Sequence, residues 1–110
     1  MKNYKNFILE NKETGIFSIK QNGITISLKL KYENTDKGLN VKIMNNDSIY
    51  EDLSIFIPDT KKLNNNQFFV NPEVENYIIE VLIKQGFINK TNIKSKAGKD
   101  EVFAYNLNFS

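Results

Sequence analysis

Apolar residues stand at every second position from Ile24 to Tyr32, with Thr25, Ser27, Lys29 and Lys31 between them. Period two marks a strand with one buried face. Asn22-Gly23 precedes it, a pair suited to a type I′ hairpin turn because both central residues need positive φ. Pairing outward from Gln21 and Ile24 sets Ile19 against Ile26 and Phe17 against Leu28, on the face of the apolar stripe. Turn chemistry and hydrophobic pattern therefore agree. Gly15 reads as the break before this hairpin, and Tyr4, Ile8 and Leu9 could share one face of a short helix upstream.

A second alternation runs through Leu39, Val41 and Ile43 after the polar loop Glu33-Asn34-Thr35-Asp36-Lys37-Gly38. Placing Tyr32 opposite Leu39 puts Leu30 opposite Val41 and Leu28 opposite Ile43. Asn45-Asn46-Asp47-Ser48 is a further turn. Leu53, Ile55 and Ile57 predict a fourth strand closed by Pro58; its register stays open, since Ile49 suits either turn or strand. Asp59 to Gln67 is polar, and Phe68-Phe69-Val70 predicts a short extended piece.

Asn71-Pro72-Glu73 predicts a helix start, with a capping acceptor, proline in the first turn and an acid beside it. Val74, Tyr77, Ile78, Val81 and Leu82 keep helical spacing, and Gly86 is a left-handed stop with Phe87 packing back. The helix is expected from Pro72 to Gln85, with Glu73 and Glu75 favouring its N-terminus. Asn89 to Asp100 reads as a lysine-rich loop carrying Lys90, Lys94, Lys96 and Lys99. Phe103, Tyr105, Leu107 and Phe109 then alternate in a returning strand from Val102 to Phe109. The expected fold is α+β: one antiparallel meander sheet of about five strands with one main helix on one face. At 110 residues the chain reads as a single domain over 1–110.

Composition narrows the chemistry. There is no histidine, cysteine or tryptophan, and all fifteen basic residues are lysine. No ordinary zinc site, Ser-His or Cys-His pair, or bidentate guanidinium fork can be built. No acid spacing points to a metal, and no glycine-rich loop points to a phosphate, so no metal or cofactor is expected. An enzyme would have to work with Lys, Asp, Glu or Tyr alone; none is expected. The net charge of +2 is small. The absence of cysteine fits a reducing cytoplasm. The apolar run after the basic start is only Phe7, Ile8 and Leu9, so neither a signal peptide nor a membrane partner is expected. Abundant Lys, Asn and Ile with scarce Ala suggest an AT-rich genome.

From about Gly23 onward the order of features resembles a small domain family carried on conjugative transposons, plasmids and prophages of low-GC bacteria. The matching pieces are Tyr50-Glu51-Asp52-Leu53-Ser54-Ile55-Phe56-Ile57-Pro58, Asn71-Pro72-Glu73, Tyr77-Ile78, Gly86-Phe87, Gly98, and Phe103-Ala104-Tyr105-Asn106-Leu107-Asn108-Phe109. Family members often carry Ser-Gly before the last strand and Tyr-Pro within it, where this chain has Ala97-Gly98 and Tyr105-Asn106. The family has no agreed activity, so the resemblance implies a genomic setting and no catalytic residue.

Together these readings predict a non-enzymatic phage or mobile-element protein that binds and inhibits a host protein. In its most concrete form it is an anti-CRISPR-type inhibitor of a defence nuclease, acting sterically in the host cytoplasm. The expected contact residues are Lys61, Lys62, Asn65, Lys94, Lys96 and Lys99. The plainer explanation of the lysines is a solvated loop. The alternative function is an accessory nucleic-acid binder of the element, with weak backbone contact only. An open sheet edge could also pair two copies, unless Lys29, Lys31 and Lys42 protect it.

Overall fold

The computed structural model describes residues 12–58 and 63–108, apart from the Lys12 side chain. The expectations for Tyr4, Ile8, Leu9 and Phe109, and for Lys61 and Lys62, lie outside the described residues.

Four strands form the first sheet in sequence order, all antiparallel: β1 (Lys12–Gln21), β2 (Ile24–Thr35), β3 (Gly38–Asn45) and β4 (Ser48–Asp52). The first hairpin has the predicted register, Ile19 opposite Ile26 and Phe17 opposite Leu28. Its turn residues Asn22 and Gly23 have φ of 53° and 80°. Gly15 is not a break: β1 continues through it at an irregularity between Glu13 and Ile16. The second hairpin departs from expectation by two residues, pairing Tyr32 with Val41 and Leu30 with Ile43. The loop is shorter than the polar run suggests. Thr35 pairs with Gly38, and the Thr35 hydroxyl donates to Gly38 O at 2.8 Å while accepting from Lys37 N–H at 3.1 Å. An even shift keeps every apolar side chain on the same face, so the stripe survives the change of partner.

The larger departure is that there are two four-stranded sheets instead of one five-stranded sheet. The second has the order β5 (Ser54–Ile55), β6 (Gln67–Val70), β8 (Asp100–Leu107), β7 (Ile88–Ala97). Leu53 is the crossing point. It is fully buried; its N–H donates to Val41 O at 3.0 Å and its carbonyl accepts from Asn71 N–H at 2.8 Å. The apolar alternation of Leu53, Ile55 and Ile57 is real, yet it serves two layers. Leu53 joins the core against the first sheet, while Ile55 pairs with Phe69 in the second. The supposed lysine-rich loop from Asn89 is a strand, β7, whose lysines face solvent while Thr91, Ile93, Ser95 and Ala97 are half-buried.

The helix α1 (Asn76–Lys84) starts later than expected. Asn71 shapes the preceding turn instead of capping it: its Oδ1 accepts from Glu73 N–H at 3.1 Å, and its Nδ2 donates to Asp52 O at 3.0 Å. Glu73 and Glu75 thus precede the helix, and its first turn holds no acid. The end is as expected. Gly86 N–H bonds Ile83 O and Phe87 N–H bonds Leu82 O, with Gly86 at φ 84°, a Schellman stop. Phe87 packs back on Phe17 with ring centroids 5.6 Å apart.

Ile78, Ile79 and Leu82 of α1 meet Phe17, Leu28, Leu30 and Val41 from the first sheet and Phe68, Ile88 and Leu107 from the second in one core. Each fully buried Leu, Ile or Phe side chain contributes about 1.5–3 kcal/mol. The opposite face of the second sheet carries a smaller cluster of Phe69, Val102 and Ala104, packed by Ile55, Ile57, Leu63 and Ile93. Among the described residues no helix is long and apolar enough to cross a membrane.

Candidate functional site

The β7–β8 hairpin turns at Gly98-Lys99, with Ala97 opposite Asp100. Its register sets Lys96 opposite Glu101, Lys94 opposite Phe103 and Lys90 opposite Tyr105. Lys90 and Lys94 are four residues apart but their partners only two, so β7 holds two extra residues between them. Thr91 stabilises this bulge: its hydroxyl donates to Ala104 O at 2.7 Å and accepts from Ile93 N–H at 3.1 Å. Because the excess is even, Lys90, Lys94 and Lys96 stay on one face. It is the face of Glu101 and Phe103, which runs on through Tyr105 and Leu107 into the main core, opposite to Val102 and Ala104.

Partners within the row are few. Lys90 Nζ lies 4.0 Å from the centroid of the Phe103 ring, a cation–π contact worth about 0.5–1 kcal/mol at an exposed site. Lys94 Nζ lies 3.6 Å from Glu101 Oε2, with both side chains about half exposed. Such a pair contributes little, about 0–1 kcal/mol. Lys96 and Lys99 have no ion pair among the described residues. Four lysines against Asp100 and Glu101 leave this segment a formal surplus of two positive charges.

Of the residues expected to act together, Lys94, Lys96 and Lys99 are brought together on this hairpin. Asn65 is not. It borders a cavity of about 530 Å³ with Phe56, Leu63 and the β2–β3 turn, and Leu63 packs on the side of the second sheet away from the lysines. Lys90, part of the lysine cluster in the sequence though outside the expected contact set, joins the row through its contact with Phe103. The signal available was the period-two spacing of Lys94 and Lys96, which marks a strand as readily as a loop.

Acids gather elsewhere. Burial raises the Glu51 carboxyl above its usual range, and the charges of Glu73, Glu75 and Asp52 raise it further. Tyr77 is also raised, by desolvation first and then by Tyr50 and Glu75. Repulsion is what this corner does: no group of three or more acids able to hold a metal ion is found among the described residues. Lys29, Lys31 and Lys42 lie on β2 and β3, the inner strands of the first sheet, so they guard neither of its edges.

No protein-family model, no curated protein and no solved structure matches the chain.

Proposed function

We propose that this protein is a non-enzymatic binding protein that occupies the surface of a host protein with the lysine row of its β7–β8 hairpin. The observation that carries this reading is the placement of Lys90, Lys94 and Lys96, all three exposed, on one face of β7, with Lys99 in the adjoining turn. The strand fixes the spacing of the lysine Cα atoms, so on binding an acidic surface only the side chains lose freedom, at about 0.5–1.5 kcal/mol each. Like-charged rows of this kind speed encounter and fix orientation more than they add affinity. The partner is therefore a macromolecule with an acidic patch. Its most concrete form is a defence nuclease of the CRISPR effector type, met in the cytoplasm of a host that carries the mobile element. That setting rests on the coding bias and on the family resemblance. Inhibition is steric: the hairpin covers a surface the nuclease needs.

The test is affinity capture from a host with active defence systems, identification of the captured nuclease, and a cleavage assay with both purified proteins. Wild-type protein is expected to suppress cleavage, and the triple variant Lys90→Glu, Lys94→Glu, Lys96→Glu to lose suppression without a change in melting temperature. A triple variant that suppresses as well as wild type overturns the reading. So does direct DNA binding whose affinity falls with a log–log salt slope of about −3.6, the value for four lysines each on a phosphate.

A further inference from the structure

Between the outer strand of the first sheet and the helix runs a groove of about 800 Å³. Ser18, Ile19 and Lys20 of β1 form one wall, and Tyr77, Val81 and Lys84 of α1 form the other. Tyr77, Val81 and Lys84 are four and three residues apart, which places them on one helical face. No residue of the lysine row borders it.

The backbone of β1 explains why this groove differs from a shallow surface dip. Gln21 and Ile24 close a two-residue turn, so they form a hydrogen-bonded pair, and bonding alternates from there. Ile19 and Phe17 therefore exchange bonds with β2, opposite Ile26 and Leu28. Ile16, Ser18 and Lys20 must then turn their N–H and C=O groups away from β2, toward the sheet's outer edge. No described strand pairs with that edge. Two of the three residues with outward-facing backbone, Ser18 and Lys20, thus border the groove, and the helix supplies the facing wall. Apolar surface dominates, from the half-buried Tyr77 and Val81 and from Ile83 at 41% exposure, while Ile19 is buried beneath. Two cations, Lys20 and Lys84, and one acid, Glu80, border it.

We propose that this groove takes an extended polypeptide segment, added as a strand to the edge of β1. The segment places an apolar side chain against Tyr77 and Val81 and an acidic group between Lys20 and Lys84. Main-chain bonding to Ser18 and Lys20 supplies affinity, and the apolar and cationic walls supply selection. The site goes beyond the lysine row and does not depend on it. The occupant is acidic because the charged rim carries two lysines and a single glutamate, so a basic segment would meet like charge.

The probes are two fluorescein-labelled nonapeptides with alternating valine and threonine, one flanked by aspartates and one by lysines, titrated into the full chain by fluorescence polarisation. The aspartate-flanked peptide is expected to bind at least about ten-fold tighter. It should also slow amide hydrogen exchange at Ser18 and Lys20 while leaving Lys94 and Lys96 unchanged. Two exposed-site variants separate the contributions. Lys20→Glu with Lys84→Glu should reverse the peptide preference. Ser18→Pro removes an outward N–H that β2 does not use, so folding should persist while binding falls by about ten-fold or more. Equal binding of the two peptides, no binding by either up to about 1 mM, or unaltered binding by Ser18→Pro overturns the proposal. Protection of Ser18 and Lys20 that grows with protein concentration alone also overturns it, because a second copy would then be the occupant.

Discussion

The Val41 backbone N–H donates to the Ser54 hydroxyl across 2.8 Å, joining the third strand of one sheet to the first strand of the other. Ser54 is the only buried polar side chain among the described residues, at 7% exposure. Its hydroxyl also lies 3.4 Å from two acceptors, Asn40 Oδ1 and Val41 O. Ser54→Ala therefore strands a buried donor and does more than delete a contact. The expected cost is about 1–3 kcal/mol, read as a lower denaturant midpoint with an unchanged slope.

Leu53, one residue earlier, is fully buried at the crossing between the sheets. Leu53→Ala should destabilise by about 2–5 kcal/mol, through lost transfer free energy and the cavity left behind. Urea unfolding followed by circular dichroism measures it, and a loss below that of Ser54→Ala would show that the crossing collapses around the gap.

Gly86 ends the helix at φ 84° with no heavy atom near the position of an added Cβ. The cost of Gly86→Ala is thus conformational and not steric, about 1–2 kcal/mol. Gly86→Asn should recover part of that loss, since asparagine tolerates this region better. Thermal melts of the two variants give the comparison.

Glu51 sets a pH dependence. Burial, then Glu73, Glu75 and Asp52, holds its carboxyl above the usual range in the folded chain. The folded state keeps this proton to a higher pH than the unfolded state does. The stability it contributes is full below the unfolded value and is lost as pH rises through the folded one. Glu51→Gln should remove this loss, so the variant gains on wild type between about pH 4 and about pH 7. Melting temperatures at both ends of that window check the sign.

Glu101 is the one acid paired within the lysine row, through Lys94. Glu101→Gln should change stability by less than about 0.5 kcal/mol, as expected for a half-exposed pair. If the row meets an acidic partner, the same substitution frees Lys94 and raises the association rate at low salt. Stopped-flow mixing with the captured partner at two salt concentrations measures that rate.

The first hairpin could be read from the sequence because Asn22-Gly23 pins a register that the apolar stripe then repeats. The next hairpin could not be fixed. A period of two is blind to even shifts, so Tyr32 against Leu39 and Tyr32 against Val41 bury the same faces. The division into two sheets was hidden by Leu53, Ile55 and Ile57, whose alternation suits one strand as well as a chain that changes layers. In β7 beyond Ile88 only Ile93 and Ala97 are apolar, so the lysines dominate the pattern and suggest a loop. They were recognised as a cluster, but their common face depends on the even excess at Thr91. The groove had no sequence signal at all, because Lys20 and Lys84 come to border one groove only after the helix returns to the first strand.

The passage of the chain through Leu53 ties the fates of the two layers. Its amide bonds β3 of one sheet and its carbonyl bonds Asn71, the residue that follows β6 of the other, and both sheets share one core, so the two layers are expected to open together. Protected amides in β3 and β8 should report a shared opening free energy, and the molecule should behave as one cooperative unit.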